Sequence, residues 1–353
     1  MAGLLTSVPV LCFGLLAPVA PALARRFGAE RVLLFALIPT AVGVLVRGAS
    51  SVPALFAGTA LASMGIAIAN VVVPTIVKGR FAHATGATMG LYVASLGGGA
   101  AIAAGLTVPL EHAFGSWELA LACWSVPALL AAAVLGAAVV GAPVTARGGP
   151  TATRALLREP LAWQVTLFMG LQSLVFYSAL AWLPSVLRDE GFTAGEAGAA
   201  LSLFALGGIP ASLVVPPLAT RLRDQRALAP TTAAFEVTAL VGLLAAPGAA
   251  LVWVTLFAIG QGSAFSLALT LIVLRSPDAH RANELSGMAQ SVGYTIAAAG
   301  PFALGALHDA SGDWSIPLLV LLALTIPLCT AGVLAGRART LQPAQVPAGL
   351  LSG

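Results

Sequence analysis

Residues 160–187 read PLAWQVTLFMGLQSLVFYSALAWLPSVL, 28 positions without one acidic or basic side chain. As an α-helix rising ~1.5 Å per residue, such a run outreaches the ~30 Å hydrocarbon core of a bilayer, which about 20 apolar residues suffice to cross. The rest of the chain has the same character. Of its 353 residues 59% are hydrophobic and 8% charged, and the mean hydropathy is +0.97. A water-soluble domain carries about 25% charged residues, so the solvent here is lipid. A β-barrel would alternate apolar and polar residues in segments of about 10, and these runs are continuous. The sequence therefore specifies an all-α membrane protein.

Further apolar runs lie at about 3–24, 32–47, 53–77, 85–108, 117–140, 197–219, 228–246, 250–274, 286–307 and 315–336, which with 160–187 makes eleven expected spans. Fifteen of the 17 Lys and Arg residues fall on one set of alternate loops, and only Arg47 and Arg188 on the other. Because cytoplasmic loops retain basic residues, this split places the C-terminus inside and, with an odd number of spans, the N-terminus outside, in a cytoplasmic membrane. The basic side chains are scattered over short loops and form no nucleic-acid patch. The stretch 141–159, with Gly148, Gly149 and Pro150, has the composition of a linker. It divides an N-terminal bundle of five helices (1–140) from a six-helix bundle (160–336), followed by a tail (337–353).

Shifting the sequence on itself by 195 residues aligns Pro21 with Pro216, Arg26 with Arg221, Arg31 with Arg226, Gly65 with Gly260 and Arg80 with Arg275, without a gap. Parallel repeats of this kind build many transporter folds. The run 160–187 has no partner: its counterpart would lie about 35 residues before Met1. The expectation is a six-plus-six plan whose first helix is missing from the chain, with a version extended upstream active and the chain as written transporting poorly. An inactive truncated or mis-started transporter fragment and a membrane sensor are the competing readings. A signal peptide would place its positive residues before the apolar core, whereas Arg25 and Arg26 follow it.

Several strings resemble the cyanate permease and nitroimidazole transporter branch of the major facilitator superfamily: WQVTLFMGLQSLVFYSALAWLP (Trp163–Pro184), RLRDQR (Arg221–Arg226), GQGSAFSLALTLIVLRS (Gly260–Ser276) and LSGMAQSVGY (Leu285–Tyr294). In the first half, LLTSVPVLCFGLLAPVAPALARRFG (Leu4–Gly28) and ANVVVPTIVKGRF (Ala69–Phe81) are similar too. The resemblance implies alternating access between two bundles, a small polar or anionic solute, and a path lined here by the helices at 53–77, 160–187 and 250–274. It also implies an Asn-Leu-Arg-Pro-like motif on the first helix, to which no residue here corresponds.

Polar groups at membrane depth are costly unless they face protein or water, so they are the candidates for transport chemistry. Asn70 stands one turn before Pro74, where loosened backbone carbonyls combine with its amide as possible ligand groups. Gln172, Tyr177 and Trp182 offer an amide, a phenol and an indole to a small planar solute, although Trp182 beside Pro184 also reads as an interface anchor. Gln261 lies between Gly260 and Gly262, where close helix packing is the alternative. Gln290 and Tyr294 share a helical face, and Tyr92 on the helix at 85–108 is a further candidate in the first half. Glu236, the one carboxylate well inside a span, is a proton-coupling candidate or a structural acid. Arg25 and Arg26, with Arg221, Arg223 and Asp224, resemble degenerate versions of the superfamily's cytoplasmic gating loop, whose basic side chains hold the negative ends of helix dipoles.

Enzyme signatures are lacking: there is no HExxH, no Gly-x-Ser-x-Gly and no nucleotide-binding loop, and His83, His112, His280 and His308 sit in loops or at helix ends. Cys12, Cys123 and Cys329 lie inside apolar runs without metal-site spacing. No cofactor or metal is expected. The expected partners are a small solute, the bilayer and, in a coupled carrier, protons, with a single copy of the chain as the working unit.

Overall fold

The structure, a computed structural model, describes residues 2–49, 51–139 and 156–342. Most of the expected linker and the end of the tail lie outside the described residues. The helices in chain order are α1 (Ala2–Leu16), α2 (Val19–Phe27), α3 (Ala29–Arg47), α4 (Val52–Arg80), α5 (Thr85–Phe114), α6 (Trp117–Ala122), α7 (Ser125–Val139), α8 (Pro160–Asp189), α9 (Ala194–Gly207), α10 (Ile209–Arg221), α11 (Leu228–Ala245), α12 (Ala250–Arg275), α13 (Ala279–Ser311) and α14 (Ser315–Ala335). Single turns of 3₁₀-helix precede α5 and α12.

Helix starts follow side-chain chemistry. The hydroxyls of Ser51 and Ser116 and the carboxylate of Asp278 accept backbone N–H groups at the starts of α4, α6 and α13, and Thr193 with Glu196 forms a capping box on α9. Between α2 and α3 the chain turns through Gly28 at φ 85°, a conformation that favours glycine. Pro18, at the Ala17–Pro18 junction, lets α1 and α2 meet at a bend of 56°.

Among the described residues, nine stretches are long and apolar enough to cross a membrane, and the bent pair α1–α2 makes a tenth if it is one span. The eleventh expected run, 286–307, falls within α13, which is 33 residues long. Its sequence is less apolar because it carries Arg281, Asn283, Glu284, Gln290 and Tyr294, all buried against other helices.

Apolar surface gives no drive to associate inside lipid, so helices meet where small residues allow close packing. A Cβ on Gly43 would stand 2.3 Å from the backbone nitrogen of Ala62, and one on Gly262 2.4 Å from the Cα of Gly208. Gly170 of α8 meets Gly293 of α13 in the same way. Large apolar side chains such as Leu15, Val134, Phe302 and Ile326 point outward, as a lipid-facing surface requires.

The helices before and after residues 140–155 meet along two seams: α1, α2 and α4 against α13, and α5 against α10 and α12. Both seams are closed toward the end that carries Arg80, Arg221 and Arg275. There Gly86 and Gly90 of α5 lie against Pro217 and Ser212 of α10, and Gly287 of α13 against Pro21. Further along α5, nothing stands within 4 Å of a Cβ built on Gly99 or Gly105.

Candidate functional site

The chain has three tyrosines, and they come together. Tyr294 of α13 packs its ring 6.3 Å from that of Tyr177 on α8 and 5.3 Å from that of Phe13 on α1. Tyr92 of α5 donates its hydroxyl to Oδ1 of Asn70 on α4 at 2.9 Å. Gln290, one turn before Tyr294, donates from Nε2 to the backbone carbonyl of Asn70 at 2.9 Å and to Ser286 Oγ. Asn70 thus joins the two groups, its side chain serving Tyr92 and its carbonyl Gln290. The same cluster of buried side chains holds Phe13, Tyr92, Tyr177 and Tyr294.

Each position has a local cause. Pro74 has no N–H, so the Asn70 carbonyl four residues earlier lacks its helical donor and is open to Gln290. The i, i+4 spacing sets Gln290 and Tyr294 on one face of α13. Gly170 and Gly293 bring α8 and α13 close enough for the Tyr177 and Tyr294 rings to meet edge on. The hydroxyls of Tyr177 and Tyr294 make no hydrogen bond among the described residues, and Tyr177, Asn70 and Tyr92 are half-buried. The result is a set of aromatic faces with free phenol groups beside two amides, suited to a small planar solute that accepts hydrogen bonds.

The remaining candidates sit elsewhere. Gln172 is buried and turned onto its own helix, donating to the Met169 carbonyl and Ser173 Oγ. Trp182 donates to the Pro301 carbonyl at 2.8 Å and packs on Trp314, whose indole donates to Asp189, so it belongs to an aromatic cluster near the far ends of α8 and α13. Gln261 donates to Oε1 of Glu236 at 3.0 Å, a pair buried between α11 and α12.

The basic loops show short-range contacts. Asp224 accepts the backbone N–H of Arg226 at 2.8 Å and its Nε at 2.7 Å. That backbone bond, followed by the guanidinium, holds the Asp224 carboxyl below its ordinary range. Arg26 lies over the Phe27 ring, and Arg25, Arg26 and Arg221 occupy last helical turns, where the dipole favours cations. Arg223 is exposed.

Sequence reading missed Phe13, Asn283 and Ser291. Asn283 donates to the Pro21 carbonyl and accepts from Thr75, and Ser291 donates to the Gly14 carbonyl at 2.9 Å. A signal was present for Ser291: Pro18 leaves the Gly14 carbonyl without a donor, so a hydroxyl on a facing helix was to be sought.

The sequence also matches known proteins. Residues 1–301 match the family model of the Major Facilitator Superfamily. The chain is 40% identical to the 2-nitroimidazole transporter of Escherichia coli (strain K12) over 338 residues, covering 95% of this chain and 86% of the relative. It is 31% identical to the cyanate transport protein CynX of the same organism over 332 residues, covering 92% and 86%. In three dimensions it resembles the proton:xylose symporter XylE bound to 6-bromo-6-deoxy-D-glucose, with a TM-score of 0.75 and 13% identity over 92% of this chain and 83% of that one, a likeness of fold alone. With a family match over most of its length, close relatives that cover it nearly end to end and a helical architecture of the same kind, the chain belongs to the Major Facilitator Superfamily.

Proposed function

We propose that the protein is a secondary carrier of a small planar solute, polar or anionic and of the size of cyanate or a nitroimidazole, working by alternating access. The observation that carries this reading is the convergence of Tyr92, Tyr177 and Tyr294 from α5, α8 and α13 on Asn70 and Gln290, at the seam between the two halves. A site made by both halves changes its exposure when they rock against each other. Phenol groups can donate to the oxygens of a nitro group or to an anion, and aromatic faces match a flat ring. The names of the two relatives support that solute class.

The halves correspond to 1–140 and 160–336, with the basic end cytoplasmic, the chain's start outside and its tail inside. With that end cytoplasmic, the closed seam there supports an outward-facing state, and the proposed working unit is a single copy of the chain. Glu236 is held within one half against Gln261, apart from the tyrosines, which supports a structural role over proton carriage.

The test is uptake of labelled 2-nitroimidazole and of cyanate into proteoliposomes, with and without an imposed proton gradient. Saturable uptake of either, competed by the unlabelled compound, supports the proposal. Uptake no faster than in empty liposomes for both removes it.

A further inference from the structure

We infer that carbonyls left without a helical donor by proline form the inner gate of this carrier, and that Gln290 and Ser291 hold the gate shut by donating to them. Four such carbonyls face the opposite half. Pro18 vacates the carbonyl of Gly14, which accepts from Ser291 Oγ at 2.9 Å, and Pro74 vacates that of Asn70, which accepts from Gln290 Nε2 at 2.9 Å. On the other seam, Pro216 and Pro217 vacate the carbonyls of Ser212 and Leu213. A Cβ on Gly90 of α5 would stand 3.1 and 3.5 Å from these oxygens.

The pattern has a physical logic. A carbonyl inside a regular helix already accepts an N–H, so a second donor from another helix adds little. A carbonyl above a proline keeps its full capacity, and inside a membrane it must find a donor from a neighbouring helix or from water. When the seam is closed, Gln290 and Ser291 supply that donor. When it opens, water entering the gap does the same, so neither state leaves an orphaned group and the exchange can run in both directions. Gln290 and Ser291 are adjacent on α13 and reach two different helices, α4 and α1, from the opposite half. Asn283, two turns earlier, extends the same face to the Pro21 carbonyl and to Thr75.

The inference rests on the alternating-access reading, but its test uses no substrate, so it fails separately from the assignment of a solute. Cys12, Cys123 and Cys329 are replaced by Ser, and spin labels are placed at the exposed positions His83 and Ala227, on opposite sides of the seam at its basic end. Label separations are then measured by pulsed electron resonance in lipid nanodiscs. Two double variants are compared with the background chain. Gln290→Ala with Ser291→Ala removes the donors. Pro18→Ala with Pro74→Ala keeps the donors but restores the helical N–H groups that compete for the carbonyls, and Ala is the better helix former at both positions.

The expected result is a long-separation population in both variants, raised about fivefold for each net hydrogen bond lost. Unchanged separations in both variants would overturn the gate. A change in the donor variant alone would overturn the role of the proline-vacated carbonyls, and a change in the proline variant alone would mark the helix bend, and not the cross-seam bonds, as the cause.

Discussion

The guanidinium of Arg275 donates to the side-chain oxygen of Gln225, and 195 residues earlier in the sequence Arg80 pairs in the same way with the carboxylate of Glu30. Each bond ties the basic end of one long helix, α12 or α4, to the loop or helix start that follows a broken pair, α9–α10 or α1–α2. The repeat read from prolines and arginines in the sequence is thus also a repeat of contacts. The second copy has been buried: Arg275 gives its other donors to the carbonyls of Ala335, Gly336 and Arg339, whereas Arg80 remains largely exposed.

This difference predicts unequal costs. Gln225→Ala strips an acceptor from a buried guanidinium and two donors from the carbonyls of Ala219 and Leu222, and should lower stability by about 2–3 kcal/mol. Glu30→Ala breaks an exposed pair worth about 0–1 kcal/mol. Thermal midpoints in detergent should therefore fall clearly for the first and barely for the second. Equal losses would show that the two contacts are energetically alike.

Burial of Glu236 against Gln261 leaves Oε2 of the acid and Oε1 of the amide both without partners. In Glu236→Gln, an amide nitrogen takes the place of that carboxyl oxygen and can donate to Gln261 Oε1 while the first bond is kept. This variant is expected to be as stable as the original chain or more so, whereas Glu236→Leu strands Gln261 and should cost about 1–3 kcal/mol. A strong loss in the Gln variant would contradict the structural, hydrogen-bonded role of this pair.

Close backbone contact at Gly262 is a third point of test. Gly262→Ala forces a methyl group against Gly208 and should cost about 1–3 kcal/mol. Gly105→Ala meets nothing within 4 Å and should be neutral or slightly stabilising, since Ala is the better helix former. Melting curves of the two variants in the same detergent decide the matter.

The Asp224 turn predicts a pH effect. Its carboxyl is held below the ordinary value of 3.8, chiefly by the Arg226 backbone N–H. A group with a depressed folded pKa contributes stability above its unfolded pKa and loses it as pH falls through the folded one. Asp224→Asn should therefore lower the thermal midpoint slightly at neutral pH, with the difference shrinking only as pH falls below about 4 and gone once it has passed the depressed folded value. A constant difference down to pH 2 would show that the charge is not involved.

Much of this was legible in the sequence because lipid makes its rules severe. Long uncharged runs had to be helices, and three tyrosines at membrane depth had to be buried or wet. Tyr92, Tyr177 and Tyr294 were identifiable one by one, but their meeting depends on Gly170 and Gly293 fixing the approach of α8 and α13, which no local pattern reveals. Gln172, Gln261 and Trp182 look the same in sequence as Gln290 and Tyr294. They differ only in which neighbour answers their polar atoms, and that neighbour is Met169 and Ser173, Glu236, or Pro301. The run 286–307 illustrates the reverse case, in which burial inside protein lets a helix carry more polar residues than hydropathy allows.

We propose the tyrosine cluster as the place where the solute binds. Equilibrium binding of labelled 2-nitroimidazole and cyanate to the purified chain in nanodiscs tests it most directly, comparing Tyr177→Phe and Tyr294→Phe with Trp182→Phe. Removing one free phenol hydroxyl should weaken binding of at least one of the two solutes about tenfold or more, as expected when a polar anchor of a largely apolar site is lost. Trp182→Phe, at the far aromatic cluster, should leave it within about twofold. Unchanged affinity in both tyrosine variants, or loss of binding in the Trp182 variant alone, would contradict the assignment.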